Sequence, residues 1–205
     1  MIKLIGKKLG MTTLFDEKGV MIPVTLIELG PCPVTQVKTV ENDGYEAYQI
    51  GFADKMKKKN LTKAVAGHLA KSGVEPMRTF TEVRGSIDGV AVGKVITVQD
   101  LNPATTVTVV GNTKGRGFAG AVKRYNFRGG PASHGCEKRH RTNGSLGSSA
   151  RLTHVWKGKR MSGHMGNVAH NIKNLKIQKI DAEKNLLVIK GSIPGYSGAT
   201  VIVMQ

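Results

Sequence analysis

Thr12-Thr13-Leu14-Phe15, then Asp16-Glu17-Lys18-Gly19, then Val20-Met21-Ile22-Pro23-Val24-Thr25-Leu26-Ile27-Glu28 is the stretch on which the fold turns. β-branched and large apolar residues flank a polar four-residue turn closed by glycine, and Ile22, Val24 and Leu26 alternate toward one face, so the stretch reads as an antiparallel hairpin. The same grammar recurs outward from it. Thr35–Val40 and Tyr45–Phe52 are a second strand pair, joined at Asn42-Asp43-Gly44, where Asp-Gly suits the positive dihedral angles of a tight turn. Further strands are expected at Arg78–Val83, Val95–Val98, Thr106–Val110, Leu175–Ile180, Leu186–Lys190 and Thr200–Met204. A short helix fits Thr62–Ser72, although Gly67 weakens it by about 1 kcal/mol relative to alanine. Many short strands with glycine-rich turns predict a mainly β chain closed into a barrel.

Between the two β-rich blocks the composition changes. Thr113–Arg160 holds twelve Lys or Arg, seven of them among the chain's nine arginines, and one acid, Glu137. Its few large apolar residues, among them Phe118, Val122, Phe127, Leu146 and Trp156, follow no period of two or 3.6. Ordering nearly fifty backbone residues costs on the order of 50 to 100 kcal/mol, and isolated apolar contacts do not offset that. The segment is therefore expected to take its order from outside the chain. The 205 residues carry 31 Lys or Arg against 14 acids, a formal charge of +17, which points to a polyanion as that partner. No run of about 20 apolar residues exists and no signal-peptide core opens the chain, so a cytoplasmic protein without membrane attachment is expected. Cys32 and Cys136 form no CxxC pair, which favours incidental reduced thiols over a disulfide scaffold or zinc site.

Several motifs admit a sharper reading. Gly115-Arg116-Gly117-Phe118-Ala119-Gly120 matches the dinucleotide fingerprint GxGxxG, with Glu137 downstream. The loop-forming Arg128-Gly129-Gly130-Pro131-Ala132-Ser133-His134-Gly135 that follows argues against a Rossmann unit, and no Walker A spacing occurs. His134, His140, His154, His164 and His170 cluster in or beside the basic segment. A metal or acid–base site would need carboxylates or thiolates beside them, and only Cys136 and Glu137 are near, so contacts to phosphate, ribose or bases fit better. Trp156, followed by Lys157-Gly158-Lys159-Arg160, suits stacking on a base more than a core position. The Lys55–Lys63 run reads equally as a solvated loop or a secondary phosphate contact.

Thr113-Lys114-Gly115-Arg116-Gly117-Phe118-Ala119-Gly120, Lys123-Arg124-Tyr125-Asn126-Phe127, Gly130-Pro131-Ala132-Ser133-His134-Gly135 and Gly144-Ser145-Leu146-Gly147 together resemble the bacterial-type ribosomal protein L3 family. So do Lys157-Gly158-Lys159-Arg160-Met161, Gly163-His164-Met165-Gly166-Asn167 and the opening Gly6-Lys7-Lys8-Leu9-Gly10-Met11-Thr12 with Phe15-Asp16-Glu17, a match running nearly end to end. The resemblance implies a closed β-barrel of the translation-protein type, residues 1–112 with 172–205, and a basic extension, 113–171, that penetrates large-subunit rRNA toward the peptidyl transferase region. It implies a structural, non-enzymatic constituent of the cytoplasmic ribosome that supports early assembly. Its partners would be rRNA and neighbouring large-subunit proteins, with no cofactor, metal or small-molecule substrate. The rRNA contacts expected are Lys114, Arg116, Lys123, Arg124, Arg128, His134, Arg139, His140, Arg141, Arg151, Trp156, Lys157, Lys159, Arg160 and His164. Ser145, Leu146, Gly147, Ser148, Ser149 and Ala150 would form the extension's tip. There the sequence departs from the family: Ser148-Ser149-Ala150 replaces the usual Pro-Gly turn, and Ala150 stands where some relatives carry a methylated Gln, so no such modification is expected. An RNA-modifying barrel enzyme and a free regulatory nucleic-acid-binding module are the other classes; the first lacks a nucleophile or cofactor pocket in the sequence, and the second would need a small isolated target.

Overall fold

A computed structural model describes residues 2–52, 61–85, 89–147 and 154–205. In chain order the strands are β1 (Lys3–Phe15), β2 (Met21–Leu29), β3 (Cys32–Lys38), β4 (Ala47–Phe52), β5 (Thr79–Arg84), β6 (Val95–Ile96), β7 (Thr106–Asn112), β8 (Phe118–Ala119), β9 (Gly163–His164), β10 (Ala169–Asp181), β11 (Leu186–Lys190) and β12 (Thr200–Met204). The helices are α1 (Val40–Asp43), α2 (Lys63–Ser72) and α3 (Ala121–Tyr125), with a 3-10 turn at Val98–Asp100. The chain is mainly β. It divides into two compact units, Met1–Thr113 with Ala169–Gln205, and Lys114–Val168.

In the first unit six antiparallel strands pair in the cyclic order β1-β12-β7-β10-β11-β2, and β2 pairs back onto β1. Its inward residues recur at every second position: Ile27 and Leu29, Val107 and Val109, Leu187 and Ile189, Val201 and Val203, all with 0–1% of their surface exposed. The alternation expected from Ile22, Val24 and Leu26 is one position out of phase. Ile27 and Leu29 belong to the main core cluster, whereas Ile22 and Leu26 are half-buried; of the three, only Val24 is fully buried, and it lies outside that cluster. β2 is apolar on both faces, so hydrophobicity alone does not fix its phase; pairing with β1, whose register shifts between Lys8 and Gly10, does. Gly6 sits opposite Leu29, where a Cβ would overlap the Glu28 carbonyl oxygen, so only glycine lets the strands meet. Lys8 is 8% exposed and its Nζ donates to the carbonyls of Ile193 (2.8 Å) and Gly195 (3.1 Å), fastening the segment before β12 to β1.

A second sheet, β5-β4-β3-β6, contributes Val34, Tyr48, Ile50, Phe52, Val83 and Ile96 to the same core. The turn expected at Asn42-Asp43-Gly44 is instead the single helical turn α1, which Gly44 ends in the left-handed conformation (φ 80°) with its N–H donating to the Val40 carbonyl. The positive φ read into Asp-Gly is used, but as a helix C-cap rather than a hairpin turn. The strand expected through Val98 stops at Ile96, because the Asp100 carboxylate accepts the Thr97 N–H at 2.7 Å and starts the 3-10 turn. Strand β10 begins six residues before the expected Leu175, so Ala169, His170 and Asn171, assigned to the basic extension from sequence, pair with Asn112, Gly111 and Val110 of β7. Lys38 of β3 and Glu82 of β5 form an ion pair at 2.7 Å that also engages the Tyr45 hydroxyl; these bonds raise the lysine's pKa and lower the carboxylate's.

Candidate nucleic-acid interface

The second unit, Lys114–Val168, is organised by backbone bonds and glycines rather than a core. Ala119 and Ala121 are its buried apolar residues among those described, and Phe118, Leu146, Val155, Trp156 and Val168 are all exposed. Its first device is a ribbon: Phe118 pairs with His164 and Ala119 with Gly163, antiparallel, and the Arg116 and Met165 N–H groups donate to the carbonyls of Met165 and Gly117. Gly166, at φ 73°, lies so close to the Lys114 carbonyl that a Cβ there would overlap it. The GxGxxG string therefore opens an antiparallel pair and a five-residue helix, not the parallel strand and long helix that a dinucleotide site requires.

The second device is α3, ended by Asn126 at φ 60°. From it Arg124 donates Nη1 to the Met161 carbonyl at 2.9 Å and lies 5.0 Å from the Tyr125 ring centre, which the Arg160 guanidinium also approaches at 5.7 Å. A Cβ on Gly163 would come within 2.7 Å of Arg124 Nη1, so glycine makes room for the guanidinium. The third is the loop from Phe127 to Gly144, drawn closed where the Gly130 N–H donates to the His140 carbonyl (3.0 Å) and His140 Nδ1 meets the Pro131 carbonyl oxygen (2.9 Å).

Of the residues expected to contact RNA, Lys114, Arg116, Lys123, Arg128, His134, Arg139, His140, Arg141, Trp156, Lys157, Lys159, Arg160 and His164 are exposed. Arg124 is half-buried and engaged within the unit, which gives it a structural task. Arg116 and His164 share the ribbon, His134, Arg139, His140 and Arg141 share the closed loop, and Trp156 to Lys159 form a turn. At the tip, Ser145 Oγ donates to the Gly147 carbonyl at 3.1 Å; Ser148, Ser149, Ala150 and Arg151 lie outside the described residues, as does Lys55–Asn60 of the lysine run.

Two features escape the sequence reading. Phe118 is 80% exposed, the only signal having been an aromatic in a glycine-rich cationic string. Lys173, Lys176 and Lys179 stand exposed along β10, whose backbone pairs with β7 in its first half and with β11 in its second, and the polar side chains disguise a strand.

Twelve cations against one acid give Lys114–Val168 a strongly positive field with fork-shaped donors, suited to phosphate. Among the described residues no group of three or more His, Cys, Asp or Glu is placed to hold a metal ion. Cys32 offers no thiolate, because burial pushes its pKa up to about 11 against the opposing hydrogen bond from Ile5.

A family model described as Ribosomal protein L3 matches residues 87–191. The large ribosomal subunit protein uL3 of Corynebacterium jeikeium (strain K411) is 48% identical over 201 residues, covering 98% of this chain and 92% of that protein. Its counterpart in Herpetosiphon aurantiacus is 47% identical over 203 residues, covering 98% and 95%. That of Synechococcus elongatus is 47% identical over 199 residues, covering 97% and 92%.

Proposed function

The chain belongs to the ribosomal protein L3 family, a structural and non-enzymatic ribosomal component, and from that premise we propose that it binds large-subunit rRNA through Lys114–Val168 and supports early assembly of the subunit. The first unit is then a globular anchor, a closed barrel of the translation-protein type, which meets rRNA and neighbouring ribosomal proteins in the cytoplasmic ribosome. The second is the rRNA-penetrating extension that buttresses the peptidyl transferase region.

One observation carries this reading: a segment of more than fifty residues holds twelve of the chain's 31 Lys and Arg, and among its described residues the only buried apolar ones are two alanines, while Phe118, Leu146, Val155, Trp156 and Val168 are exposed. A chain keeps such a segment ordered when phosphates neutralise it and nucleotides supply its packing. The contacts proposed are Lys114, Arg116, Lys123, Arg128, His134, Arg139, His140, Arg141, Arg151, Trp156, Lys157, Lys159, Arg160 and His164, with Arg124 bracing the fold beneath them.

The test is sedimentation of tagged protein from lysate through sucrose gradients at low and high salt, with crosslinks mapped. Co-migration with large subunits through the high-salt wash, and crosslinks from residues 114–168 to large-subunit rRNA, are expected. Protein confined to the top fractions at both salt concentrations refutes the proposal.

A further inference from the structure

We propose that Phe118 and His164 form a stacking seat for an unpaired RNA base, a refinement that rests on the RNA-binding reading above. The two residues are direct partners in the antiparallel β8–β9 pair, so their side chains leave the same face of the ribbon with Cβ atoms roughly 5 Å apart. The neighbouring pair, Ala119 and Gly163, faces the other way. Ala119 is 4% exposed, and the Arg124 guanidinium, held by the Met161 carbonyl, lies against Gly163. One side of the ribbon is thus sealed, and the other presents a phenyl ring 80% exposed beside an exposed imidazole.

A phenyl ring has no polar atom to offer water or phosphate, so its complement is another flat or apolar surface. Arg116 and Lys114 lie two and four positions before it in a segment that carries one acid, and an apolar protein partner would have to desolvate those cations. A nucleotide meets both demands, with a π-face for Phe118 and a phosphate for Arg116. The base must be unpaired, because in a duplex both of its faces are already stacked on neighbours.

The experiment uses the full chain and a short oligoadenylate carrying one 2-aminopurine, set beside a fully paired RNA duplex of equal length. Base–aromatic stacking contributes roughly 1 to 3 kcal/mol per base, so Phe118→Ala should weaken single-strand binding about 5- to 140-fold and abolish the 2-aminopurine fluorescence change. Duplex affinity and the salt dependence of binding should stay as in the unmutated protein, and Phe118→Trp should restore single-strand binding. Single-strand affinity within twofold of the unmutated protein in Phe118→Ala, or an equal loss for both RNAs, overturns the seat while leaving the RNA-binding reading intact. No salt-dependent binding of either RNA by the unmutated protein overturns both.

Discussion

Excising the basic unit should leave the first unit folded. Asn112 of β7 and Ala169 of β10 are paired partners, so the ends left by removing residues 113–168 already lie opposite each other at the spacing of neighbouring antiparallel strands, roughly 5 Å. An Asn-Gly turn spans that gap. Replacing a connection of more than fifty residues by two shortens the loop to be closed by between four and five doublings, and at about 0.6 kcal/mol per doubling this stabilises the remainder by roughly 2 to 3 kcal/mol. The excision also removes twelve of 31 cations and one of 14 acids, taking the net charge from +17 to +6 and relieving self-repulsion. Thermal unfolding should therefore remain a single cooperative transition with Tm level or raised. RNA binding changes in the other direction. If half of the twelve cations engage phosphates, the slope of log K against log salt for duplex RNA should become shallower by about 5. Circular dichroism melts and fluorescence anisotropy titrations across salt read the two effects. Loss of the cooperative transition, or a slope altered by less than about 1, refutes the division of labour.

Three further outcomes are expected. Gly166→Ala forces a side chain into φ 73° and onto the Lys114 carbonyl, so hydrogen exchange at the Arg116 and Met165 amides should accelerate more than about fivefold, corresponding to roughly 1 kcal/mol, with the melt of the first unit unchanged. Lys8→Met leaves the Ile193 and Gly195 carbonyls without their ammonium partner and should cost about 1 to 3 kcal/mol in urea unfolding with little change in slope. Because Cys32 keeps its proton in the fold up to about 11, against an ordinary 9.0, its contribution to stability is complete below pH 9 and is lost as pH rises from 9 to 11. Cys32→Ala should be less sensitive to pH across that window, and in the native protein a thiol reagent should label Cys136 before Cys32.

The strands that announced themselves were those whose side chains alternate against the core. Leu186–Lys190 and Thr200–Met204 stand where the sequence sets them, since Leu187, Ile189, Val201 and Val203 are buried at a period of two. The first half of β10 did not: Ala169, His170, Asn171 and Lys173 are exposed, and the strand there is held by backbone bonds to β7 that leave no hydrophobic pattern. In the basic unit, charge and glycine content pointed to the cationic residues but said nothing of which would be spent internally. Arg124 and Arg128 look alike in sequence. Only the approach of Met161 and Gly163, nearly forty positions away, assigns Arg124 to bracing the ribbon and leaves Arg128 exposed. Phe118 was legible as an aromatic residue but not as an exposed one, because its exposure follows from which face of the ribbon Arg124 seals.

The pairing of β1 with β12 has a consequence in time. Lys3 meets Met204, so the six-stranded ring joins positions about 200 residues apart and cannot close until the last strand has been synthesised. Until then β1 has β2 as a partner but lacks β12, and β7 lacks β12 as well, which leaves two strand edges open to mispairing. High sequence separation of this kind places folding in the millisecond-to-second class. Lys114–Val168 emerges before β12 does, so under the RNA-binding function proposed above the cationic segment is available to a polyanion while the ring is still open.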